Sequence, residues 1–494
     1  MAAHGSGRFL AYHEPDIIAI LTLLSFFIFL AISEWLADAT IRAGLIGQII
    51  VGIIYGVPLA NIMALEWQET FLALGYIGLI LIIFEGGLTI RLDLLRQNFV
   101  LSVIAALLGV LTPIALSFAL LHAAFGHSAL EAFIVGTSLC STSLGTTFAV
   151  LSTASRGIDF SQTRIGTVLV SAAIIDDVAA LVLVSVIHQL RDLANGSGEL
   201  GWIIGQPILA SGLLGVVTPI VAKFILGPGF RKFLEKRMLR FKHIGNLALM
   251  VLVLSAFLVI AAYAGASVLF GAFLAGTVLS SLVTKQPGDV YGGESSEENE
   301  TAEGKMPTFL QTLKKYVGGP QKYIFQPLFF ASIGFAIPFL DMWTGEMIWK
   351  GLVFTILMVL GKLVVGTVVP VWDLLSGNTT KEKAPSHPRP ALNWAPATLL
   401  GTAMVARGEI GLLIIQIGLN ETPYLTQKAF IIGVWAIVLN TIVGPVSVGI
   451  LLKSFGQKIA DDRRWGTQSK TKSPEVERIM VGSPTASPSN GNGV

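Results

Sequence analysis

Long apolar segments fill most of this chain, and they constrain its fold more than any other feature of the sequence. Each of about thirteen such segments approaches the roughly 20 residues that a helix needs to cross a bilayer. With 53% hydrophobic and only 13% charged residues over 494 positions, the composition excludes a large soluble protein and predicts an all-α polytopic membrane protein. The predicted helices lie at about 16–36, 41–59, 70–90, 99–121, 129–152, 163–190, 203–226, 244–263, 265–283, 322–341, 346–373, 393–419 and 426–453.

The positions of Lys and Arg predict how these helices are oriented. If the N-terminus, residues 1–15, is extracytoplasmic, most basic residues fall in cytoplasmic loops, including the run RKFLEKRMLRFK. Cytoplasmic loops of membrane proteins carry such an excess of positive charge. The eighth and ninth helices are separated by only Tyr263, Ala264 and Gly265. A single bent span here is the alternative, and it would reverse the orientation of everything that follows.

Three segments do not have the composition of membrane helices, although the transmembrane domain as a whole is predicted over residues 16–453. Residues 285–321 contain QPGDVYGGESSEENETAEG, which is acidic and lacks basic residues, as in a disordered cytoplasmic loop. The linker SGNTTKEKAPSHPRP and the tail, residues 454–494, are similarly polar and rich in Ser and Pro. We predict that the loop and the tail are disordered and cytoplasmic.

Two adjacent acidic residues, Asp176 and Asp177, lie at the middle of the sixth predicted helix, in SAAIIDDVAALVLVSVI. A charged side chain at the bilayer centre costs roughly 2.5 to 3.5 kcal/mol on insertion scales, so the pair needs compensation or has a function. Successive helical residues point about 100° apart, so one carboxylate can face an aqueous path and the other a neighbouring helix. We therefore expect the two carboxylates to have different roles. A polar loop or a helix cap is the alternative for this pair.

Lys362, in FTILMVLGKLVVG, is the expected partner of the acidic pair, because it is the only basic residue well inside the eleventh predicted helix. Burial and neighbouring charges can bring the titration of such groups toward physiological pH. The pair and the lysine could then exchange protons for a cation. A permanent structural salt bridge is the alternative for Lys362.

The order of the helices predicts two six-helix repeats, formed by helices one to six and eight to thirteen. Because the seventh helix lies between them, the two repeats have opposite orientations in the membrane. The fifth helix of each repeat is interrupted by small and polar residues, in GTSLCSTSLGTTFAVLS and in LLGTAMVARGEIGLLI. Such interruptions at corresponding positions indicate crossed helices and a binding site near the middle of the membrane. Simple packing by glycine is the alternative. The candidate site residues are Thr142, Ser143, Thr146, Thr147, Arg407 and Glu409.

These candidates are expected to differ in role. The hydroxyl and carbonyl oxygens of the first interruption suit a small hard cation. Arg407 and Glu409 are expected to pair with each other or with other buried groups, and to offset the partial charges of broken helix ends rather than bind the ion. Glu85 is expected to anchor the third helix at the membrane interface, with ion entry as the alternative. Asn440 is expected to make an interhelical hydrogen bond.

Other residue types indicate no cofactor and no nucleic-acid partner. Cys140 is the single cysteine, which rules out an intrachain disulfide and argues against a Cys-based metal cluster. The seven histidines lack the spacing of metal ligands. The formal net charge of +2 is close to balanced.

Five parts of the sequence together resemble the cation:proton antiporter 2 family, the sodium or potassium/proton exchangers, across approximately residues 16–453. They are LGYIGLILIIFEGGLTIRLDLLR, CSTSLGTTFAVL, SAAIIDDVAALVLV, LGKLVVG and ARGEIGLLI. The resemblance implies that Asp177 is the essential ion-binding carboxylate and that Lys362 pairs with its neighbour, Asp176. It also implies a homodimer, a mobile six-helix core, and electrogenic exchange of two protons for each sodium ion.

The sequence thus predicts an electrogenic Na⁺/H⁺ antiporter that works by alternating access in the lipid bilayer, and not an enzyme. K⁺/H⁺ exchange is an alternative, because ligand number and site size distinguish the two ions. A cation channel with an acidic ring is a second alternative, which saturable, proton-coupled flux would exclude. An intramembrane aspartyl protease needs its two acids on separate helices, whereas Asp176 and Asp177 are adjacent.

Overall fold

The computed structural model describes residues 14–90, 98–143, 160, 163–194, 200–282, 307–376, 394–462 and 464–466, which are predominantly helical. Eight helices in this part of the chain are long and apolar enough to cross a bilayer. The helices are α1 (Ile17–Ile41), α2 (Gly44–Tyr55), α3 (Leu65–Thr89), α4 (Phe99–Ala124), α5 (Ala129–Ser138), α6 (Arg164–Ala194), α7 (Leu200–Val221), α8 (Glu235–Ala264), α9 (Val268–Leu282), α10 (Phe309–Tyr316), α11 (Gln326–Phe335), α12 (Gly345–Leu363), α13 (Val368–Ser376), α14 (Trp394–Ala403), α15 (Glu409–Glu421) and α16 (Gln427–Ala460). This confirms the all-helical, multi-pass class, whereas the number of crossings stays a prediction.

Local sequence determines where several of these helices end. Gly265, between α8 and α9, has φ +80°, a left-handed conformation that glycine adopts without steric cost. The two helices then pack against each other, so they are separate helices and not one bent span. Ser128 and Glu131 begin α5 with a capping box, in which each side chain binds the other residue's backbone N–H.

Helices α1, α2, α3, α8, α9 and α11 pack together in one group, hereafter the scaffold bundle. They approach closely where glycine replaces a side chain: a Cβ on Gly276 of α9 would clash with the backbone of α3 at Phe84. Elsewhere the ring of Phe26 lies 5.3 Å from that of Tyr55 and 5.5 Å from that of Phe71, centroid to centroid. Such van der Waals packing holds helices together in lipid, where the hydrophobic effect contributes little between them.

Helices α4, α5, α6, α12, α14, α15 and α16 form a second group, hereafter the site bundle. Helix α13 continues from α12 through a 3₁₀ turn at Val364–Thr367. Near the centre of the bundle the chain leaves helical geometry at residues 139–143, after α5, and at residues 404–408, between α14 and α15. These two breaks coincide with the predicted interruptions.

Two segments predicted to be disordered contain ordered residues. Residues 309–316 form α10, which a capping box between Thr308 and Gln311 begins and which buries Phe309 and Leu313. The prediction of disorder over 285–321 is therefore wrong for its last part. The tail is also ordered at its start, because α16 continues to Ala460 and Trp465 is fully buried. The polar composition of these segments led to the wrong prediction. Short amphipathic segments can be ordered by a few buried residues, which change the overall composition little.

Candidate functional site

Helix α6 carries the acidic pair through the middle of the site bundle. It is 31 residues long and apolar on most sides, so its backbone hydrogen bonds stay internal while the two carboxylates project sideways. Asp176 is fully buried, and Asp177 is partly exposed. The adjacent carboxylates therefore lie in different surroundings, as their angular separation on the helix requires.

Asp176 forms a buried ion pair with Lys362 of α12. The Lys362 Nζ lies 2.8 Å from Asp176 Oδ2, and both side chains have 0% exposure. The ammonium group also donates to the Cys140 carbonyl oxygen at 2.7 Å and to Thr142 Oγ1 at 3.1 Å. Three acceptors thus match its three N–H donors, which offsets the cost of removing the charge from water.

Thr142, in the first break, connects to both carboxylates. Its hydroxyl group donates to Asp176 Oδ2 at 3.1 Å, and its backbone N–H interacts electrostatically with the Asp177 carboxylate. The other oxygen of Asp176, Oδ1, has no hydrogen-bond partner among the described residues. In a continuous helix the Thr142 N–H would bind a carbonyl of its own helix. The break therefore leaves this N–H available to the acidic pair.

Gly109 of α4 completes the surroundings of Asp176, and no sequence pattern indicates this role. A Cβ at this position would lie 2.9 Å from Asp176 Oδ2, 3.0 Å from Oδ1 and 3.1 Å from the Met404 methyl carbon. The absence of a side chain lets α4 pack directly on the carboxylate. A glycine in an apolar helix is too common for this contact to be predicted without tertiary structure.

The two breaks contact each other through their backbones. The Ser143 N–H donates to the Ala406 carbonyl at 2.9 Å, and Arg407 Nη1 donates to the Ser141 carbonyl at 2.7 Å. From α16, the Thr441 hydroxyl group binds the Arg407 carbonyl at 3.1 Å. These bonds satisfy backbone groups that the interrupted helices leave without intrahelical partners.

Arg407 is fully buried, and its guanidinium donates a hydrogen bond to a backbone carbonyl near a helix end, not to an acid. Its bond to Ser141 places the guanidinium beside carbonyls at the C-terminal end of α5, where the helix dipole is negative. Its Nε and Nη2 have no hydrogen-bond partner in the described part of the chain. The alternative in which Arg407 pairs with Glu409 is therefore not what the structure contains.

Glu409 lies close to Asp177, which sequence reasoning missed. It is the first residue of α15, is partly exposed, and binds its own backbone N–H. The preceding Gly408 packs on Ser143, where a Cβ would lie 2.8 Å from the Ser143 side chain. The Glu409 carboxylate interacts electrostatically with the Asp177 carboxylate, as does Asp176. Asp177 and Glu409 are far apart in the sequence, and the contact between the two breaks brings them together. Sequence reasoning could not predict that contact.

The remaining candidates have different outcomes. Thr146 and Thr147 lie outside the described residues. Glu85 accepts a hydrogen bond from Gln321 at 2.7 Å, which ties α3 to the segment before α11. Asn440 is fully buried, but its amide oxygen and nitrogen have no partner in the described residues, so the predicted interhelical hydrogen bond is absent there.

The sequence matches the family described as "Sodium/hydrogen exchanger, transmembrane" over residues 17–454. It is 26% identical over 426 residues to a Na(+)/H(+) antiporter of Enterococcus hirae, covering 84% of this chain and 92% of that protein. The Na(+)/H(+)-K(+) antiporter GerN of Bacillus cereus is 25% identical over 424 residues, with coverages of 85% and 93%. The high-affinity Na(+)/H(+) antiporter NhaS3 of Synechocystis sp. is 24% identical over 391 residues, with coverages of 76% and 70%. These matches confirm the predicted resemblance to monovalent cation/proton exchangers.

The fold is similar to a solved structure of the sodium proton antiporter MjNhaP1 from Methanocaldococcus jannaschii at pH 8. The TM-score is 0.53, and the match covers 90% of this chain and 98% of that chain. At 15% identity the likeness concerns the fold alone. It agrees with the all-helical architecture described above.

Proposed function

We propose, from the premise that this chain belongs to the family of transmembrane sodium/hydrogen exchangers, that Asp177 is the carboxylate at which a monovalent cation and a proton alternate. The protein is a secondary transporter that exchanges Na⁺ for H⁺, and not an enzyme. One observation carries the assignment to Asp177: its neighbour Asp176 is already neutralised by Lys362, whereas no Lys or Arg in the described residues forms an ion pair with Asp177.

A cation at Asp177 would find further oxygen ligands nearby. Small alkali cations are bound by carboxylate, hydroxyl and carbonyl oxygens. Glu409 supplies a second carboxylate, and the break after α5 supplies hydroxyl groups at Thr142 and Ser143. Two carboxylates that share a poorly hydrated site cannot both stay ionised without a cation or a proton. This competition couples the two ions, so no ATP is required.

We assign the electrogenic part of the exchange to the Lys362–Asp176 pair. If Asp176 takes up a proton, the ammonium loses its counter-charge, and the pair can release or gain a proton as the neighbouring site fills. Burial favours such coupled titration, in which the protons belong to the group of residues rather than to one side chain. Two protons would then move for each sodium ion. Potassium stays an alternative cargo, and the name of the relative GerN includes it.

We further propose thirteen crossings in two inverted six-helix repeats. The contacts support this plan, because chain segments that should share one membrane face do meet: His188 with Glu421, and Phe125 with Trp349. Alternating access would then move the site bundle against the scaffold bundle. An extracytoplasmic N-terminus, cytoplasmic residues 467–494 and a homodimer complete the proposal.

Exchange in proteoliposomes tests the assignment of Asp177. Protein in vesicles with an imposed proton gradient is given Na⁺, K⁺ or Li⁺, and proton flux is followed with and without a membrane potential. We expect Asp177→Asn to abolish exchange, because an amide neither titrates nor neutralises a cation. Glu85→Gln is the matched control, since this carboxylate lies on α3 and binds Gln321. Wild-type flux through Asp177→Asn would remove the assignment, and flux without proton coupling would favour a channel.

A further inference from the structure

Residues 461, 462 and 464–466, hereafter the C-terminal clasp, follow α16 and fold back against the site bundle. Asp462 shapes them: its Oδ1 accepts from the N–H groups of Arg464 at 2.8 Å and Trp465 at 2.9 Å. The Gly466 N–H donates to the Asp462 carbonyl at 2.9 Å. The clasp is therefore a compact turn with its own hydrogen bonds, and it presents the Trp465 side chain to the bundle.

The clasp caps the first turn of α6, the helix that carries the acidic pair. The Arg164 N–H donates to the Gly466 carbonyl and the Ile165 N–H to the Trp465 carbonyl, both at 3.1 Å. Thr163 satisfies the next N–H, because its hydroxyl oxygen accepts from Gly166 at 3.1 Å. The first N–H groups of a helix have no partners within the helix, so the clasp supplies what α6 itself cannot.

The same segment binds α13, and Arg164 connects it to the start of α4, the helix that carries Gly109. The Trp465 indole N–H donates to Asp373 Oδ2 of α13 at 3.1 Å, and α13 continues the helix of Lys362. Arg164 lies over the Trp465 ring at 5.0 Å from its centroid and donates from Nε to Asn98 Oδ1, just before α4, at 3.1 Å. Helix α4 carries Gly109.

The clasp thus contacts the start of α6 and the far end of α13 directly, and Arg164 of α6 connects it to Asn98, just before α4. About three helical turns, or roughly 17 Å, separate Ile165 from Asp176 along α6. Continuous helices transmit a shift of their ends, since packed interiors are stiff. Trp465 has 0% exposure and belongs to the same buried apolar cluster as Leu101, Ile165 and Val368.

We propose that the C-terminal clasp is a positioning element for ion exchange, which fixes the three helices around the Lys362–Asp176 pair and links the C-terminal tail to the ion site. The inference rests on the proposed function and adds a residue group outside the site. Its key residues are Trp465, which joins α6 to α13, and Asp373 of α13, whose carboxylate accepts the hydrogen bond from the Trp465 indole. Any event that pulls residues 461–466 away would change the relative positions of Asp176 and Lys362.

Two truncations test the clasp in the otherwise full chain. Deletion of residues 467–494 keeps every contact described above, and it is the matched control for deletion of residues 461–494. In wild type and control, hydrogen exchange at the Arg164 and Ile165 amides should be slow. Loss of the clasp should accelerate it about tenfold or more, since a net hydrogen bond of about 1.4 kcal/mol corresponds to a factor of ten. Unchanged exchange at these amides would overturn the proposal.

Transport by the folded fraction separates positioning from a merely structural role. We expect deletion of residues 461–494 and Trp465→Ala to shift the apparent Na⁺ affinity by about threefold or more and to displace the pH profile. Trp465→Phe keeps an aromatic ring without the N–H and should lie between Trp465→Ala and wild type. Asp373→Asn keeps an acceptor for the indole and should retain the wild-type profile.

The outcomes have distinct meanings. Less folded protein with the wild-type affinity and pH profile would reduce the clasp to a structural element and overturn the proposal. If wild-type protein itself shows no coupled Na⁺ and proton flux, the proposed function fails, and the hydrogen-exchange comparison still judges the contact between the clasp and α6. If wild type exchanges and both truncations match it in all readouts, the clasp alone is refuted.

Discussion

Two contacts on α6 have the same length in different surroundings. Lys362 Nζ lies 2.8 Å from the Asp176 carboxylate, and both side chains are fully buried. His188 Nδ1 lies 2.8 Å from the Glu421 carboxylate, but these side chains are 38% and 42% exposed. Water screens the exposed pair, which contributes about 0 to 1 kcal/mol, whereas removal of one partner of a buried pair costs about 3 to 5 kcal/mol. The surroundings, not the distance, decide what a charged contact contributes.

The comparison also indicates why the buried pair exists. Replacing a whole buried ion pair by apolar groups is often neutral or even stabilising, so stability alone does not explain Lys362 and Asp176. Together they keep one carboxylate neutralised, while no Lys or Arg in the described part of the chain forms an ion pair with Asp177, the next residue. The exposed pair at the end of α6 has no comparable neighbour in the bundle interior.

Lys362→Met tests the largest expected difference. The apolar side chain leaves Asp176 buried without its cation, so the free energy of unfolding should fall by about 3 to 5 kcal/mol unless Asp176 takes up a proton. Thermal unfolding of the purified protein in detergent measures the loss. The double variant Asp176→Asn with Lys362→Met removes both charges and should recover much of the stability. If Lys362→Met is as stable as wild type while Asp176 stays ionised, burial does not determine the cost of breaking this ion pair.

Gly109→Ala sharpens the comparison by changing the shape around the buried pair and not its charge. A methyl group 2.9 Å from Asp176 Oδ2 requires a shift of the carboxylate or of α4. Overpacking of this kind costs about 1 to 3 kcal/mol, and we expect weaker apparent Na⁺ affinity as well. Unfolding and concentration-dependent flux check both effects. Gly212→Ala on α7 is the control, because a Cβ there meets no atom within 4 Å. Equal effects of both substitutions would refute the steric explanation.

Glu421→Gln should have the smallest effect. The contact is half exposed and is an ion pair only when His188 is protonated, so its loss should change the free energy of unfolding by less than about 1 kcal/mol. Urea or thermal unfolding at two salt concentrations would show this. A loss as large as that of Lys362→Met would mean that exposure does not distinguish the two contacts.

The fold was predictable to the extent that apolar length specifies helices. The segments ending near Tyr263 and beginning after Gly265 are separate helices, and the chain leaves helical geometry at residues 139–143 and 404–408, within both predicted interruptions. Irregular backbone at these positions is tolerated because it is buried in protein rather than exposed to lipid. Helix α10 and the clasp were missed. Each gains its order from a few buried residues, such as Phe309 and Trp465, which the polar composition around them conceals.

The site was predictable where charge made a residue conspicuous. Asp176 and Lys362 stood out because buried charges need partners, and the structure joins them at 2.8 Å. Glu409 and Gly109 were not assigned their places near the two carboxylates. Glu409 comes near Asp177 because the two breaks contact each other, and Gly109 contacts Asp176 because α4 packs on α6. Both contacts depend on tertiary structure and leave no local pattern in the sequence.

Proton release on sodium binding tests the central claim most directly. Purified protein in weakly buffered detergent solution is mixed with Na⁺, and the protons released are measured with a pH indicator or by calorimetry in buffers of different ionisation enthalpy. If a cation and a proton alternate at Asp177, wild type releases protons on binding, whereas Asp177→Asn neither binds Na⁺ nor releases them. Release of as many protons by Asp177→Asn as by wild type would contradict the account.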